Sequence, residues 1–142
     1  MTTETRYPHP LAVVADDNAV IRMNAADILE DAGYTPIEAH HGDHALSMLQ
    51  QHHPNVQVLF TDVQMPGGQR DGFALAREVS VCWPHIAIVV ASGEMHPEPG
   101  DLPEGATFIS KPFSAELVRE HLQKVVAEDV QPLPLQDGSA VR

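Results

Sequence analysis

Five residues stand out because each closes or directly follows a short apolar run: Asp16 and Asp17 after residues 11–15, Asp62 after 56–61, Ser92 after 86–91, and Lys111 after 107–110. Runs of this kind, rich in β-branched residues, suit strands buried on both faces of a parallel sheet. Strands lying side by side would bring all five residues to one edge. Carboxylates crowded into one cleft repel one another, and their natural counter-ion is a hard divalent cation that takes oxygen ligands. Mg²⁺ is the candidate, because it uses one or two protein carboxylates, keeps waters, and leaves positions for phosphate oxygens. The chemistry this supports is phosphoryl transfer to a carboxylate, with the metal, the Lys111 ammonium and the Ser92 hydroxyl meeting charge on the transferred group. Lys111 precedes Pro112, which keeps its backbone extended and makes Lys111-Pro112 a candidate cis peptide that would aim the ammonium inward.

The elements that must position these residues alternate along the chain. After the first strand, Val20, Ile21, Ala25, Ile28, Leu29 and Ala32 recur at helical spacing, and Gly33 stands where a C-terminal cap belongs. Residues 34–39 suit a second strand, and Asp43 is placed to cap a helix carrying Ala45, Leu46, Met48 and Leu49. The third strand, a Gly-rich loop over 65–71, and a helix from Gly72 to about Val81 follow. Ser114 is placed to cap a last helix with Leu117, Val118, Leu122, Val125 and Val126 inside. Pro97, Pro99 and Pro103 leave the fourth helix short or absent, since proline cannot donate to a helical ladder. Alternation of this kind predicts an α/β fold: a five-stranded parallel sheet with helices on both faces and ligands at the carboxyl ends of its strands. Residues 1–10 read as a flexible leader, 11–128 as one domain, and 129–142 as a disordered tail with no room for an effector domain.

The segments ADDN at 15–18, TDVQMPGG at 61–68, DG at 71–72, ASGE at 91–94 and SKPF at 110–113 together resemble the receiver domain of two-component response regulators. The resemblance spans residues 11–128 and implies the flavodoxin-like, CheY-like (βα)5 fold of a single-domain response regulator. It further implies that Asp62 is the phosphoacceptor. Asp17, Asp62 and the backbone carbonyl of Gln64 would ligate Mg²⁺, with Asp16 acting largely through water. Ser92 and Phe108 match the switch hydroxyl and the switch aromatic, and Gln64 and Glu94 flank the path of attacking water and tune dephosphorylation. The implied donors are a sensor histidine kinase or a histidine phosphotransfer protein, and the implied output is a downstream protein target. Such a domain is not an enzyme in the ordinary sense, although it catalyses its own phosphotransfer and autodephosphorylation. Three departures from the family pattern stand out. Gln69-Arg70 lengthens the loop before Asp71-Gly72, with a tip placed to contact a partner; the β4 to β5 link is short and proline-rich; and Gly93 follows Ser92.

Composition bounds the alternatives. The 142 residues, 43% hydrophobic, suffice for one core. Twenty acidic against eight basic residues give a formal charge of -12, which argues against direct nucleic-acid binding. Cys82 is the only cysteine, no apolar stretch is long enough for membrane insertion, and the opening residues lack a secretory pattern, so a reducing cytoplasmic setting is expected. Singly, each site residue has a plainer role: Asp16 and Asp17 suit a helix start, Ser92 a turn, Phe108 a core, and Cys82 packing at a helix end. The nine histidines, including His40, His41, His44, His52 and His53, show no metal-ligand spacing and read as solvated. Two other functions compete. One is an unphosphorylated protein-binding module on the same scaffold. The other is a Mg²⁺-dependent aspartyl-phosphate phosphohydrolase of the haloacid-dehalogenase type, which needs an acid where Gln64 stands.

Overall fold

A computed structural model describes residues 9–136. Its strands are β1 (Leu11–Ala15), β2 (Thr35–Ala39), β3 (Val56–Asp62), β4 (Ala87–Ser92) and β5 (Thr107–Ser110). Its helices are α1 (Ala19–Asp31), α2 (Gly42–His52), α3 (Gly72–Cys82), α4 (Ala115–Val125) and α5 (Leu133–Gln136). All strand pairs are parallel, in the order β2-β1-β3-β4-β5, so the strand order reverses between β1 and β3. In such sheets that crevice, at the carboxyl ends, is where ligands bind.

The period of two along each strand divides the core. Ala12, Val14, Val58, Phe60, Val89, Ala91 and Ile109 face α1, α4 and α5, while Val13, Ala15, Leu59, Ile88 and Val90 face α2 and α3. Burial on both faces explains why β1, β3 and β4 read as near-continuous apolar runs. Helix starts are set by side chains that accept an orphan N–H: Asn18 from Ile21, Asp71 from Ala74, and Ser114 from Leu117. The α2 cap is His41, which accepts from His44; Asp43, expected as the cap, sits inside the first turn. Cys82 ends α3 as expected but is exposed rather than packed.

Residues 93–106, which link β4 to β5, contain no helix. The link begins as a helix would, with Ser92 Oγ accepting from Met95 N at 3.0 Å, but Pro97 and Pro99 remove the next donors the ladder needs. Leu102 packs on the α2/α3 side of the core in place of a helix, and Arg77 on α3 donates to the Asp101 carbonyl.

The C-terminal segment corrects the expectation of a disordered tail from residue 129. A 3₁₀ turn at Glu128–Val130 and α5 fold back between α1 and α4, and Leu135 is fully buried. Gln57 and Gln123 donate to the Val130 and Leu135 carbonyls, and Arg119 donates to that of Pro134. Gly33 makes room for the segment, since a Cβ there would lie 2.5 Å from Pro132. Residues 137–142 of the expected tail, and residues 1–8 of the expected leader, lie outside the described residues.

Candidate functional site

Strand register assembles the site. Ala15 pairs with Thr61, so the next residues, Asp16 and Asp62, leave adjacent strands side by side. Asp62 in turn pairs with Ala91, Ser92 pairs with Ser110, and Lys111 N donates to the Ser92 carbonyl. One carboxylate oxygen from each of Asp16, Asp17 and Asp62 lies within 4.8 Å of the others. Lys111 Nζ donates to Asp16 Oδ2 at 2.9 Å and to Asp62 Oδ1 at 3.0 Å. The Lys111-Pro112 peptide is cis, as the sequence allowed.

These charges are substantially withdrawn from water: Asp16 is 4% exposed and Asp62 7%, whereas Asp17 is exposed. Burial, and secondarily the Asp16 charge, lift the Asp62 carboxyl above its usual range against the pull of Lys111. On Lys111 burial opposes the charge, yet its bonds to Asp16 and Asp62 outweigh it and hold the ammonium above its usual value. Three carboxylates facing one ammonium leave excess negative charge made only of hard oxygen donors, a set that fits Mg²⁺ in ligand type.

The turn carrying the acids is braced from beneath. Asp16 Oδ1 accepts from Asn18 N, and Arg22 reaches back one turn of α1 to donate from Nη1 to the Asp16 carbonyl, while its Nε pairs with Glu38 on β2. Gly72 is required for another reason: its N–H bonds the Val63 carbonyl, and a Cβ on it would stand 1.9 Å from the Asp62 carbonyl oxygen. Neither residue was singled out from sequence. Arg22 carried a readable signal, a charge on the buried face of α1, and Gly72 appeared only as part of a motif.

The remaining sequence-derived positions are spread more widely. Ser92 is buried at the end of β4, with its oxygen engaged by Met95 N. Phe108 is half-buried on the α2/α3 side, its ring centroid 5.6 Å from that of His96. Gln64 and Glu94 are exposed. In the Gln69-Arg70 extension, Arg70 pairs with both Asp43 and Glu78. His40, His41 and His44 cluster through hydrogen bonds and ring contacts; among the described residues the only metal-compatible group of three is the aspartate set.

Fold and site together define a doubly wound parallel α/β domain with an acidic, lysine-paired centre at its strand-order reversal. Residues 12–123 match the family model described as the response regulator receiver domain, and the chain belongs to that family. It is 33% identical over 119 residues to the sensor kinase CckA of Brucella abortus (strain 2308), covering 79% of this chain and 12% of that one. It is 30% identical over 128 residues to the phosphate regulon transcriptional regulatory protein PhoB of Escherichia coli (strain K12), covering 88% and 55%. The chain therefore spans from about an eighth to just over half the length of these relatives. The Vibrio cholerae chemotaxis protein CheY4 superposes with a TM-score of 0.70 at 28% identity, covering 83% of this chain and 99% of that one. Among the described residues no helix is long and apolar enough to cross a membrane.

Proposed function

We propose that this receiver domain is a phosphorylation-dependent switch or phosphorelay intermediate that accepts a phosphoryl group on Asp62 from a phosphohistidine donor. The observation that supports the proposal is the bifurcated contact of Lys111 Nζ with Asp16 and Asp62, a cation beside an oxygen of Asp62. Asp17, Asp62 and the Gln64 carbonyl would hold Mg²⁺, with Asp16 acting through water; the ion would neutralise charge on the transferred group. An Asp62 oxygen forms the new bond to phosphorus as the donor's phosphorus–nitrogen bond breaks and the imidazole keeps the electron pair. Lys111 and the Ser92 hydroxyl meet the equatorial oxygens, Gln64 and Glu94 flank the water that later hydrolyses the acyl phosphate, and Phe108 turns inward as Ser92 moves. The donor is a sensor histidine kinase or a phosphotransfer protein, and the readout is altered binding of a protein target.

Beryllofluoride with Mg²⁺ tests this directly. Amide resonances around Ser92 and Phe108 should shift in the wild type and not in Asp62→Asn. A protein silent to Mg²⁺ in both forms would defeat the proposal, and partner affinity indifferent to Asp62→Asn would favour an unphosphorylated binding module.

A further inference from the structure

The connection from β3 to α3 is held in two halves. Its inner half is anchored by Gly72 N bonding the Val63 carbonyl and by Met65, buried with Sδ 3.9 Å from Thr61 Oγ1. Its outer half, residues 66–71, buries no residue and is instead clasped to two helices. Asp43 on α2 accepts Gln69 N at 3.1 Å and Arg70 Nη1 at 2.6 Å, while Arg70 Nε donates to Glu78 on α3 at 2.8 Å. The contact is close: a Cβ on Gly42 would lie 2.9 Å from the Arg70 carbonyl, and one on Gly68 would lie 3.0 Å from His41 Nδ1. The Gln69 amide first, and Arg70 second, hold the Asp43 carboxyl below its usual range, so the clasp is charged at neutral pH.

We infer that Arg70 is a positioning residue: by bridging α2 and α3 it pre-orders the loop bearing the Gln64 carbonyl and thereby strengthens Mg²⁺ binding at the aspartates. The inference rests on the phospho-switch reading above. Arg70 sits on the residues that lengthen this loop, so it is a feature of this chain. Its pairs are about one-third exposed, and exposed ion pairs contribute little to global stability. What they do is hold residues 69–70 to α2 and α3, and so limit the freedom of the segment that follows Gln64.

The sign of one experiment separates positioning from simple electrostatics. Removing Arg70 makes a chain of formal charge -12 more negative by one, which by Coulomb's law alone should tighten Mg²⁺ binding. Loss of positioning should weaken it. Mg²⁺ titration of the full chain, followed by amide shifts, should give a dissociation constant raised roughly three- to tenfold in Arg70→Met, at or below the 10–100-fold cost of losing a direct partner of a metal ligand. Arg70→Lys, which keeps the charge without the planar fork, should show a smaller rise. The melting temperature of the metal-free protein should stay near that of the wild type in both. Unchanged or tighter Mg²⁺ binding in Arg70→Met, with the wild type responding, overturns this inference alone; no response in the wild type overturns it together with the phospho-switch reading.

Discussion

Two long irregular connections border the acidic edge, and they are restrained in different ways. The β3–α3 connection is bound to its neighbours at many points, through Gly72, Met65, Gln69 and Arg70. The helix-free β4–β5 link is held near the site by one hydroxyl, Ser92, and farther out by Leu102, Arg77 and the His96–Phe108 contact. The difference bears on signalling. The first connection presents a proposed metal ligand and gains from rigidity, while the second starts at the proposed switch residue, where one hydroxyl bond is all that must break.

The largest expected effect lies in the rigid connection. Gly72→Ala places a Cβ 1.9 Å from a backbone oxygen of the proposed phosphoacceptor, and neither backbone can move aside without disturbing Asp62. Overpacking typically costs 1–3 kcal/mol; a clash with backbone should exceed about 3 kcal/mol, read as a fall in the urea midpoint, with loss of any Mg²⁺ response. A variant as stable as wild type would mean that the connection is not as tightly set as its contacts indicate.

The strap formed by residues 128–136 serves as a control away from both connections. Leu135→Ala should cost about 2 kcal/mol, the low end for a buried leucine because a four-residue helix can settle into part of the cavity. A tail that contributed nothing would give no change in the denaturation midpoint.

Ser92→Ala tests the weaker connection. Losing the bond to Met95 N should cost about 1 kcal/mol, equivalent to roughly fivefold faster hydrogen exchange at Met95. Exchange at Gln69 N, held by Asp43, should not change. Equal loosening at both would remove the distinction drawn between the two connections.

The three inner strands β1, β3 and β4 were legible because burial on both faces writes near-continuous apolar runs, and the acids were legible because they end two of those runs. Asp16, Asp17, Asp62 and Lys111 are brought together as their strand positions implied. The missing helix was legible in Pro97 and Pro99, a local effect on donors. What stayed hidden depends on pairs far apart in the chain. Leu135 is buried only because Gly33 and the α1–α4 groove receive it, and Arg70 becomes a clasp only when Asp43 and Glu78 flank it. His41 caps α2 because the helix begins at Gly42, which puts Asp43 inside the first turn, where it binds Gln69 and Arg70.

The smallest effect should come from pH, at the corner where α2 meets the rigid connection. His44 Nδ1 accepts from His40 N at 3.2 Å, and a nitrogen that accepts cannot also carry a proton. Burial first, then His40 and His41, then Arg22 depress the His44 pKa. The charged groups around it are Asp43 paired with Arg70, and Arg22 paired with Glu38. A histidine whose folded pKa is depressed binds its proton less readily than in the unfolded chain. The stability it contributes is therefore complete above the unfolded value of about 6.5 and is lost as pH falls through the window below it. Hydrogen exchange at the His40 amide, corrected for intrinsic rates, should accelerate below that pH, while Met95 keeps its protection. His44→Gln, whose side-chain oxygen can accept but does not titrate, should flatten the profile; acceleration that persists in that variant would place the proton elsewhere.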